Sequence, residues 1–372
     1  MSRTIHKSEP LQRTHKLRVA IVAPSLQYVG GQAVQADLLL RSWKDDPDVE
    51  AFFIPVDPKF PQYLSWAAKV PYLRTILRAP LYWFTLYRDL AKADVAHVFS
   101  ASYTSFLLAP VPALIIARMR GRSVMINYRS GEAADHLQRS KIAVRLLSRA
   151  NARIVPSGYL ASVFGDFGLD TRVVPNIIDV SQFQYRRRQP LRPRLICPRG
   201  FHVYYRVDLV VRAFRAIKDE FPDAVLCLPG TGPQAEEIRN LVRELNLTDV
   251  EFPGAIPRAT IGSYFEQADI FINASALDNM PVSILEAFAA GTPVVSTAPE
   301  GIRYVVEHER TGLLSEPGDW QALAENALRL LRDPALAQHL AENGAEESKR
   351  YIWSAVRSQW LEIYRSMVRK PT

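Results

Sequence analysis

The sequence predicts an α/β protein built from two Rossmann-like domains that face a central cleft. Short apolar runs alternate with amphipathic helical segments, a pattern typical of parallel sheets covered by helices on both faces. The alternation stops between residues 176 and 194, where arginines and prolines (RRRQPLRPR) replace the apolar periodicity, and then it restarts. A length of 372 residues also suits two domains, at about 150 residues per domain.

Each half contains six predicted strands. In the first half these are residues 17–23, 51–54, 94–99, 123–128, 153–156 and 171–174, with helices over 33–43, 104–120, 141–150 and 159–167. In the second half they are 195–197, 224–228, 250–252, 270–273, 294–296 and 312–314, with helices over 207–220, 233–245, 259–267, 283–290 and 320–332. Two such halves place a ligand cleft between the carboxyl ends of both sheets.

The domain boundaries follow from these elements. We expect a disordered basic segment over residues 1–16, a first domain over 17–175, a linker over 176–194 and a second domain over 195–350. The last segment, 351–372, reads as a helix that packs back on the first domain.

Composition narrows the class of partner. The net charge of +8 favours anionic ligands, but the basic residues are dispersed and no nucleic-acid recognition motif accompanies them. The two cysteines are too few for a disulfide framework or a cysteine metal site. No secretory signal and no apolar run of membrane-spanning length is seen, so the expected location is cytoplasmic.

The stretch from residue 273 to 295 carries the strongest signal for a binding site. A buried strand, a polar turn and a helix follow one another there, and unpaired amides at such a helix start bind anions. Asp278 and Glu286 flank this point. The alternatives are that Asp278 only forms the turn, and that Glu286 closes a capping box with Ser283.

Other candidates lie at strand–helix junctions. Gly30 and Gly31, and likewise Gly230, would let a ligand approach the backbone, or they form ordinary turns. Arg199 and Arg206 follow the first strand of the second half and would neutralise a diphosphate, or they are solvated. His136, with Glu132 and Asp135 in the loop after the strand 123–128, is a candidate base on the first-domain side. His97 lies inside a strand and is expected to be a core residue.

Several motifs of the second half resemble those of retaining GT-B glycosyltransferases of family 4. The resemblance covers residues 17–365. The family's E-x7-E signature is matched by Asp278-x7-Glu286 followed by AFAAGTPVV, and its PNGID…F segment by VVPNIIDVSQF. Further matches are LPGTGP, VEFPGAIP and RTGLLSEPGD.

The resemblance implies a transfer of sugar from a nucleotide-diphosphate donor with retention of configuration. The first domain would hold a glycan or lipid-linked acceptor and the second the donor. Arg199 and Arg206 would bind the diphosphate, Glu286 the ribose and Asp278 the sugar, and no metal or cofactor is implied. The remaining donor contacts implied are Gly30, Gly31, Gly230, Ile256, Asn279, Met280, Pro281, Val282 and Ser283.

Two positions depart from the family pattern. Asp278 replaces the first glutamate of the signature, and Phe99 stands where the second histidine of an H-x-H pattern is usual, after His97. These departures keep two alternatives open: a catalytically silent GT-B subunit that binds a nucleotide sugar or a partner enzyme, and a GT-B nucleotide-sugar epimerase.

Residues 63–88 combine aromatic and basic side chains on a segment that contains Pro71 and Pro80. The composition predicts interrupted helices that contact an anionic membrane surface, which would fit a lipid-linked acceptor and a peripheral position on the inner membrane face. The alternative is a core-packed helix pair with a solvated basic face.

Overall fold

The computed structural model describes residues 16–26, 30–62, 66, 70 and 73–368. Residues 1–15 of the segment expected to be disordered lie outside the described residues, as do Pro71, Tyr72 and Lys69 of the aromatic segment.

The first domain is a parallel sheet of six strands in the order β2-β1-β3-β4-β5-β6. Its strands are β1 (Leu17–Ala23), β2 (Val49–Pro55), β3 (Val95–Ser100), β4 (Ser123–Tyr128), β5 (Ala152–Val155) and β6 (Arg172–Val173). Its helices are α1 (Gly31–Ser42), α2 (Leu73–Asp89), α3 (Tyr103–Leu108), α4 (Pro110–Met119), α5 (Ala133–Arg139), α6 (Lys141–Leu147) and α7 (Gly158–Asp166).

The second domain repeats this plan in the order β12-β11-β10-β7-β8-β9, again with parallel pairing. Its strands are β7 (Arg194–Ile196), β8 (Val225–Cys227), β9 (Val250–Glu251), β10 (Ile270–Asn273), β11 (Val294–Thr297) and β12 (Leu313–Ser315). The helices that follow are α8 (Val207–Glu220), α9 (Ala235–Glu244), α10 (Ile261–Gln267), α11 (Val282–Ala289), α12 (Trp320–Arg332), α13 (Pro334–Ser348) and α14 (Trp353–Val368).

The central strands are buried on both faces, which explains their uninterrupted apolar sequences. Every residue of β3, β10 and β11 is buried, and separate apolar clusters cover the two sides of each sheet. In a parallel sheet the helices that connect successive strands cover both faces, so the central strands are buried on both sides. The predicted α/β class with two Rossmann-like domains is confirmed.

Three local predictions were wrong, and two of them concern prolines. The single helix expected over 104–120 is two helices, because Pro110 lacks an amide hydrogen and begins α4. Conversely, α2 continues through Pro80, where an interruption was expected. The segment expected to be a loop before His136 contains α5.

The last helix, α14, lies against the first sheet although it follows the second domain. Val356, Trp360 and Tyr364 join the same apolar cluster as residues of β1 and β3. Arg357 forms ion pairs with Asp46 at 2.7 Å and Asp48 at 2.6 Å, at the end of α1 and before β2. The chain therefore crosses between the domains twice.

Candidate functional site

A cleft of about 1040 Å³ lies between the two domains. Its walls are formed by segments that follow the carboxyl ends of strands in both sheets, where parallel α/β sheets place their ligands. Ala101 follows β3, Arg129 follows β4, Arg199 follows β7 and Gly230 follows β8.

The loop between β10 and α11, residues 274–281, forms the centre of the second-domain wall; we call it the cleft loop. Asp278 accepts a hydrogen bond at 2.8 Å from the amide of Asn279, so the carboxylate shapes the turn as well as facing the cleft. Asn279 in turn accepts a hydrogen bond from Ser157 of the first domain. Gly301 supports the loop from behind, since a Cβ there would lie 2.4 Å from the Cα of Asn279.

The start of α11 faces the cleft with free backbone amides. Its first residue, Val282, follows Pro281, and no side chain caps the helix. Ser283 lines the cleft and its hydroxyl accepts a hydrogen bond at 3.3 Å from Arg199. An uncapped helix start beside a guanidinium favours binding of an anion such as a phosphate.

Glu286 is buried at the base of the cleft and forms an ion pair with Arg258. The capping box with Ser283 is therefore absent, because the helix begins too early and the carboxylate turns to Arg258 instead. Burial raises the pKa of Glu286, and the charge of Arg258 partly offsets this effect. Arg258 keeps two buried donors, Nε and Nη2, that have no hydrogen-bond acceptor among the described residues.

Arg199 lies in the second-domain wall of the cleft, beside the start of α11. Its guanidinium forms an ion pair with Asp278 and stacks on Tyr205, with the guanidinium carbon 3.9 Å from the ring centre. Burial acts to lower the pKa of Arg199, but the charge and hydrogen bond of Asp278 together with Tyr205 and Cys197 outweigh burial, so the pKa is raised.

The structure does not bring Arg206 to the cleft. Its guanidinium donates two hydrogen bonds of 3.0 Å to Asp208, two residues further on, and it is absent from the cleft wall. The Asp208 carboxylate in the first turn of α8 binds the guanidinium, so Arg206 lies outside the cleft where its diphosphate contact was predicted.

His136 is likewise held away from the cleft. It lies on α5 and is 2 % exposed, with Nδ1 2.8 Å from the hydroxyl of Tyr128. Burial lowers its pKa, so the ring is neutral at pH 7. Asp135 bonds Tyr103, and of the three candidates only Glu132 lines the cleft.

The other predicted donor contacts all line the cleft, namely Gly30, Gly31, Gly230, Ile256, Asn279, Met280, Pro281, Val282 and Ser283. Packing also explains why position 230 is a glycine, because a Cβ there would lie 2.1 Å from the carbonyl oxygen of Arg199. Phe99 is buried beneath Arg129, whose guanidinium carbon lies 5.1 Å from the ring centre, and Phe99 does not reach the cleft.

The cleft residues that the sequence analysis did not single out include Arg129, Asn176 and Arg258. Arg129 directly follows a strand at its carboxyl end, which is a signal that could have found it. Asn176 lies in the VVPNIIDVSQF motif shortly after β6, which is also a signal, whereas Arg258 follows an irregular segment and carries none. Within the described residues, no cluster of three metal-ligating side chains is found, and no helix there has the length and apolarity to cross a membrane.

Two facing Rossmann-like domains with such a cleft define the GT-B class of fold, and comparison with known proteins agrees. The chain superimposes on sucrose-phosphate synthase from Thermosynechococcus elongatus with a TM-score of 0.76 at 22 % identity, over 94 % of this chain and 99 % of that one. At this identity the likeness shows the shared fold.

Residues 189–347 match the family model described as glycosyl transferases group 1. The chain is 31 % identical to N-acetyl-alpha-D-glucosaminyl L-malate synthase of Bacillus anthracis over 54 % of this chain and 55 % of that protein. It is 32 % identical to an exopolysaccharide phosphotransferase of Streptomyces coelicolor over 52 % of this chain and 21 % of that protein, so the matches span about half of these relatives' length or less. The second domain is therefore similar in sequence to the glycosyl transferases group 1 family.

Proposed function

We propose that this protein is a retaining, hexosyl-type glycosyltransferase that moves a sugar from a nucleotide-diphosphate donor to a glycan or lipid-linked acceptor in cell-surface polysaccharide synthesis. One observation carries the proposal. The uncapped start of α11 faces the cleft beside Arg199, with Asp278 and Glu286 on either side of it. The family of the second domain and the names of its relatives support the same reaction class.

The donor fits this wall as follows. The diphosphate lies at the start of α11 and at Arg199, whose combined positive field replaces a metal ion in the proposed chemistry. Glu286 accepts hydrogen bonds from the ribose hydroxyls, and the two unsatisfied donors of Arg258 lie beside it. Asp278 and the cleft loop contact the sugar.

The reaction breaks the bond between the anomeric carbon and the diphosphate oxygen. A new bond forms between that carbon and an acceptor oxygen on the same face of the sugar, and the leaving phosphate takes the acceptor proton. This reaction needs no histidine from the first domain. It is therefore compatible with the structure, in which His136 and Phe99 are buried and do not line the cleft.

A thermal-shift panel of UDP-, GDP-, ADP- and TDP-sugars tests the donor site. A bound donor raises the melting temperature by mass action. Glu286→Ala should abolish the shift, since hydrogen bonds to a charged group contribute about 1.5–3 kcal/mol, or roughly 10- to 100-fold in affinity. Glu325→Ala, which removes an exposed partner of Arg332, is the matched control and should keep the shift.

The same panel can reject the proposal. An unchanged shift in Glu286→Ala would mean that Glu286 only partners Arg258. If donor binds but no acceptor extract ever releases free nucleoside diphosphate, the protein is a silent subunit. Release of an epimerised nucleotide sugar would identify the epimerase alternative.

We also propose that α2 docks on an anionic membrane surface on the cytoplasmic side. Ile76, Trp83, Phe84 and Tyr87 recur on one face of α2 and are each 44 % to 67 % exposed. Arg120 stacks on Tyr87 at 4.2 Å, and so a basic group borders the apolar face. A core-packed helix would have buried these four side chains.

Vesicle sedimentation tests this second proposal. The protein should co-sediment with vesicles of phosphatidylcholine and phosphatidylglycerol, and less with phosphatidylcholine alone, because anionic lipid attracts the basic border. Trp83→Ala with Phe84→Ala should release it. Ile142→Ala, an equally exposed apolar residue on α6, is the control. Equal sedimentation of all variants, or none at all, contradicts membrane docking.

A further inference from the structure

A continuous row of buried polar groups crosses the molecule and ends in the cleft. It begins at Tyr364 on α14, whose hydroxyl lies 2.8 Å from Nδ1 of His97 on β3. His97 Nε2 lies 2.8 Å from Nδ2 of Asn127, and Asn127 Oδ1 accepts a hydrogen bond of 3.0 Å from Nε of Arg129. The row thus fixes one edge of the Arg129 guanidinium.

The other edge of that guanidinium is fixed from the second domain. Arg129 Nη1 donates to Oδ1 of Asn176. The side-chain nitrogen Nδ2 of Asn176 donates at 2.6 Å to the carbonyl oxygen of Met280 in the cleft loop. With Phe99 beneath its plane, Arg129 is oriented from several sides while it still lines the cleft. A side chain held in this way is preorganised for binding.

Arg129 differs from the other arginines of the cleft in its charge balance. Arg41 pairs with Asp37, Arg199 with Asp278 and Arg258 with Glu286. In the part of the chain that the structure describes, no ion pair involves Arg129, and its acceptors are two neutral amide oxygens. Loss of hydration lowers the pKa of Arg129 to about 9, so the group stays charged at neutral pH.

A partly buried cation without a counter-ion is costly, and a protein tolerates it where a ligand supplies the opposite charge. The donor diphosphate already has Arg199 and the start of α11 on the second-domain wall. Arg129 follows β4 and lines the cleft from the first-domain wall, which the proposed function gives to the acceptor.

We propose that Arg129 binds an acidic group, a carboxylate or a phosphate, carried by the transferred sugar or by the acceptor. This inference rests on the proposed function. It narrows the substrates to those with an acid near the reacting carbon, and it assigns Arg129 to their selection.

Calorimetry on the purified full chain tests it with defined probes. UDP alone measures the diphosphate site. UDP-glucuronic acid against UDP-glucose tests an acid on the sugar, and glycerol 3-phosphate against glycerol, each with saturating UDP, tests an acid on the acceptor. If the thermal-shift panel selects GDP, then GDP, GDP-mannuronic acid and GDP-mannose replace the uridine compounds.

In the wild type, the acidic member of at least one pair should bind about 10-fold or more tightly than the neutral member, as a charge-assisted contact implies. Arg129→Gln should bring that ratio to about one and leave UDP affinity unchanged. Arg129→Lys should keep part of the preference because it keeps the charge. Arg145→Gln removes an exposed arginine of α6 outside the polar row and serves as the matched control, with the preference intact.

Four outcomes overturn the inference. Equal binding of acidic and neutral members by the wild type removes the acid site. An equal loss of UDP affinity in Arg129→Gln assigns Arg129 to the diphosphate. Loss of the preference in Arg145→Gln would mean that the overall positive charge, and not a contact from Arg129, sets it. Absence of any nucleoside diphosphate binding removes the proposed function and this inference together.

Discussion

Arg258 and Glu286 form the ion pair at the base of the cleft. Removing one partner by mutation tests how much this ion pair contributes to the stability of the fold. Removing Arg258 leaves a carboxylate that is only 3 % exposed without its partner. Breaking a buried pair costs about 3–5 kcal/mol, and since Arg258 itself is partly exposed we expect about 2 kcal/mol for Arg258→Ala. Urea unfolding measures this loss.

The loss should depend on pH in a defined direction. Burial raises the pKa of Glu286 in the folded state, and loss of Arg258 raises it further. Between the pKa of Glu286 in the unfolded chain and its higher pKa in the folded state, the folded protein holds a proton on Glu286 that the unfolded chain releases. The stability of the fold therefore falls as pH rises through this interval. The deficit of Arg258→Ala relative to wild type should be smaller near pH 5 than near pH 8.

Two further variants make this result interpretable. Arg258→Ala combined with Glu286→Gln should recover stability near pH 8, because no buried charge is left. Arg303→Ala removes an exposed pair with Glu316 and should change stability by less than about 0.5 kcal/mol. A deficit in Arg258→Ala that is equal at both pH values would show that Glu286 is not its source.

Residue identities in the cleft could be predicted where the strand and turn pattern fixed them. Asp278, Glu286 and Arg199 follow strands or open a helix, and the structure brings them to one wall. The position of the Arg206 side chain outside the cleft could not be predicted, because its hydrogen bond to Asp208 depends on side-chain geometry. Arg258 lies in a short irregular segment, and only the folded chain shows that it meets Glu286.

At the level of the element, strands were predicted better than the segments between them. A strand that is buried on both faces leaves a continuous apolar run, whereas a short helix such as α5 leaves no comparable pattern. The fate of a proline also depends on context: Pro110 begins a helix, while α2 accommodates Pro80. Sequence position alone does not distinguish the two.

The segment 176–194 shows why basic composition was a poor guide to packing. It lacks apolar periodicity, yet Arg188 is 4 % exposed and donates to the carbonyl oxygens of Phe265, Ala268, Ala290 and Gly291. Arg192 forms an ion pair at 2.8 Å with the fully buried Asp269, which Arg186 also contacts. Arginine therefore fastens this segment to the second domain by hydrogen bonds and ion pairs, in addition to the burial of Ile178 and Phe183 in the apolar core.

At the level of the whole molecule, the two domains are tied by a helix that belongs to one in sequence and to the other in space. The alternation of strands and helices predicted both sheets, and the polar row from Tyr364 to Met280 could not be predicted, because its members are far apart in sequence. The row shows that the packing of α14 and the shape of the cleft are physically connected.

Trp360→Ala tests how far that connection governs stability. Trp360 is 1 % exposed in the cluster shared by α14, β1 and β3, and truncation of such a tryptophan costs about 3–5 kcal/mol. Hydrogen exchange should accelerate in β1, β3 and β4 and stay unchanged in β7, β10 and β11, because the buried side chains of α14 join the apolar cluster of the first sheet. Trp83→Ala, a half-exposed tryptophan on α2, should alter neither set. Equal acceleration in both sheets would mean instead that the domains unfold as one cooperative unit, and α14 would then stabilise the cleft as a whole rather than its first-domain wall.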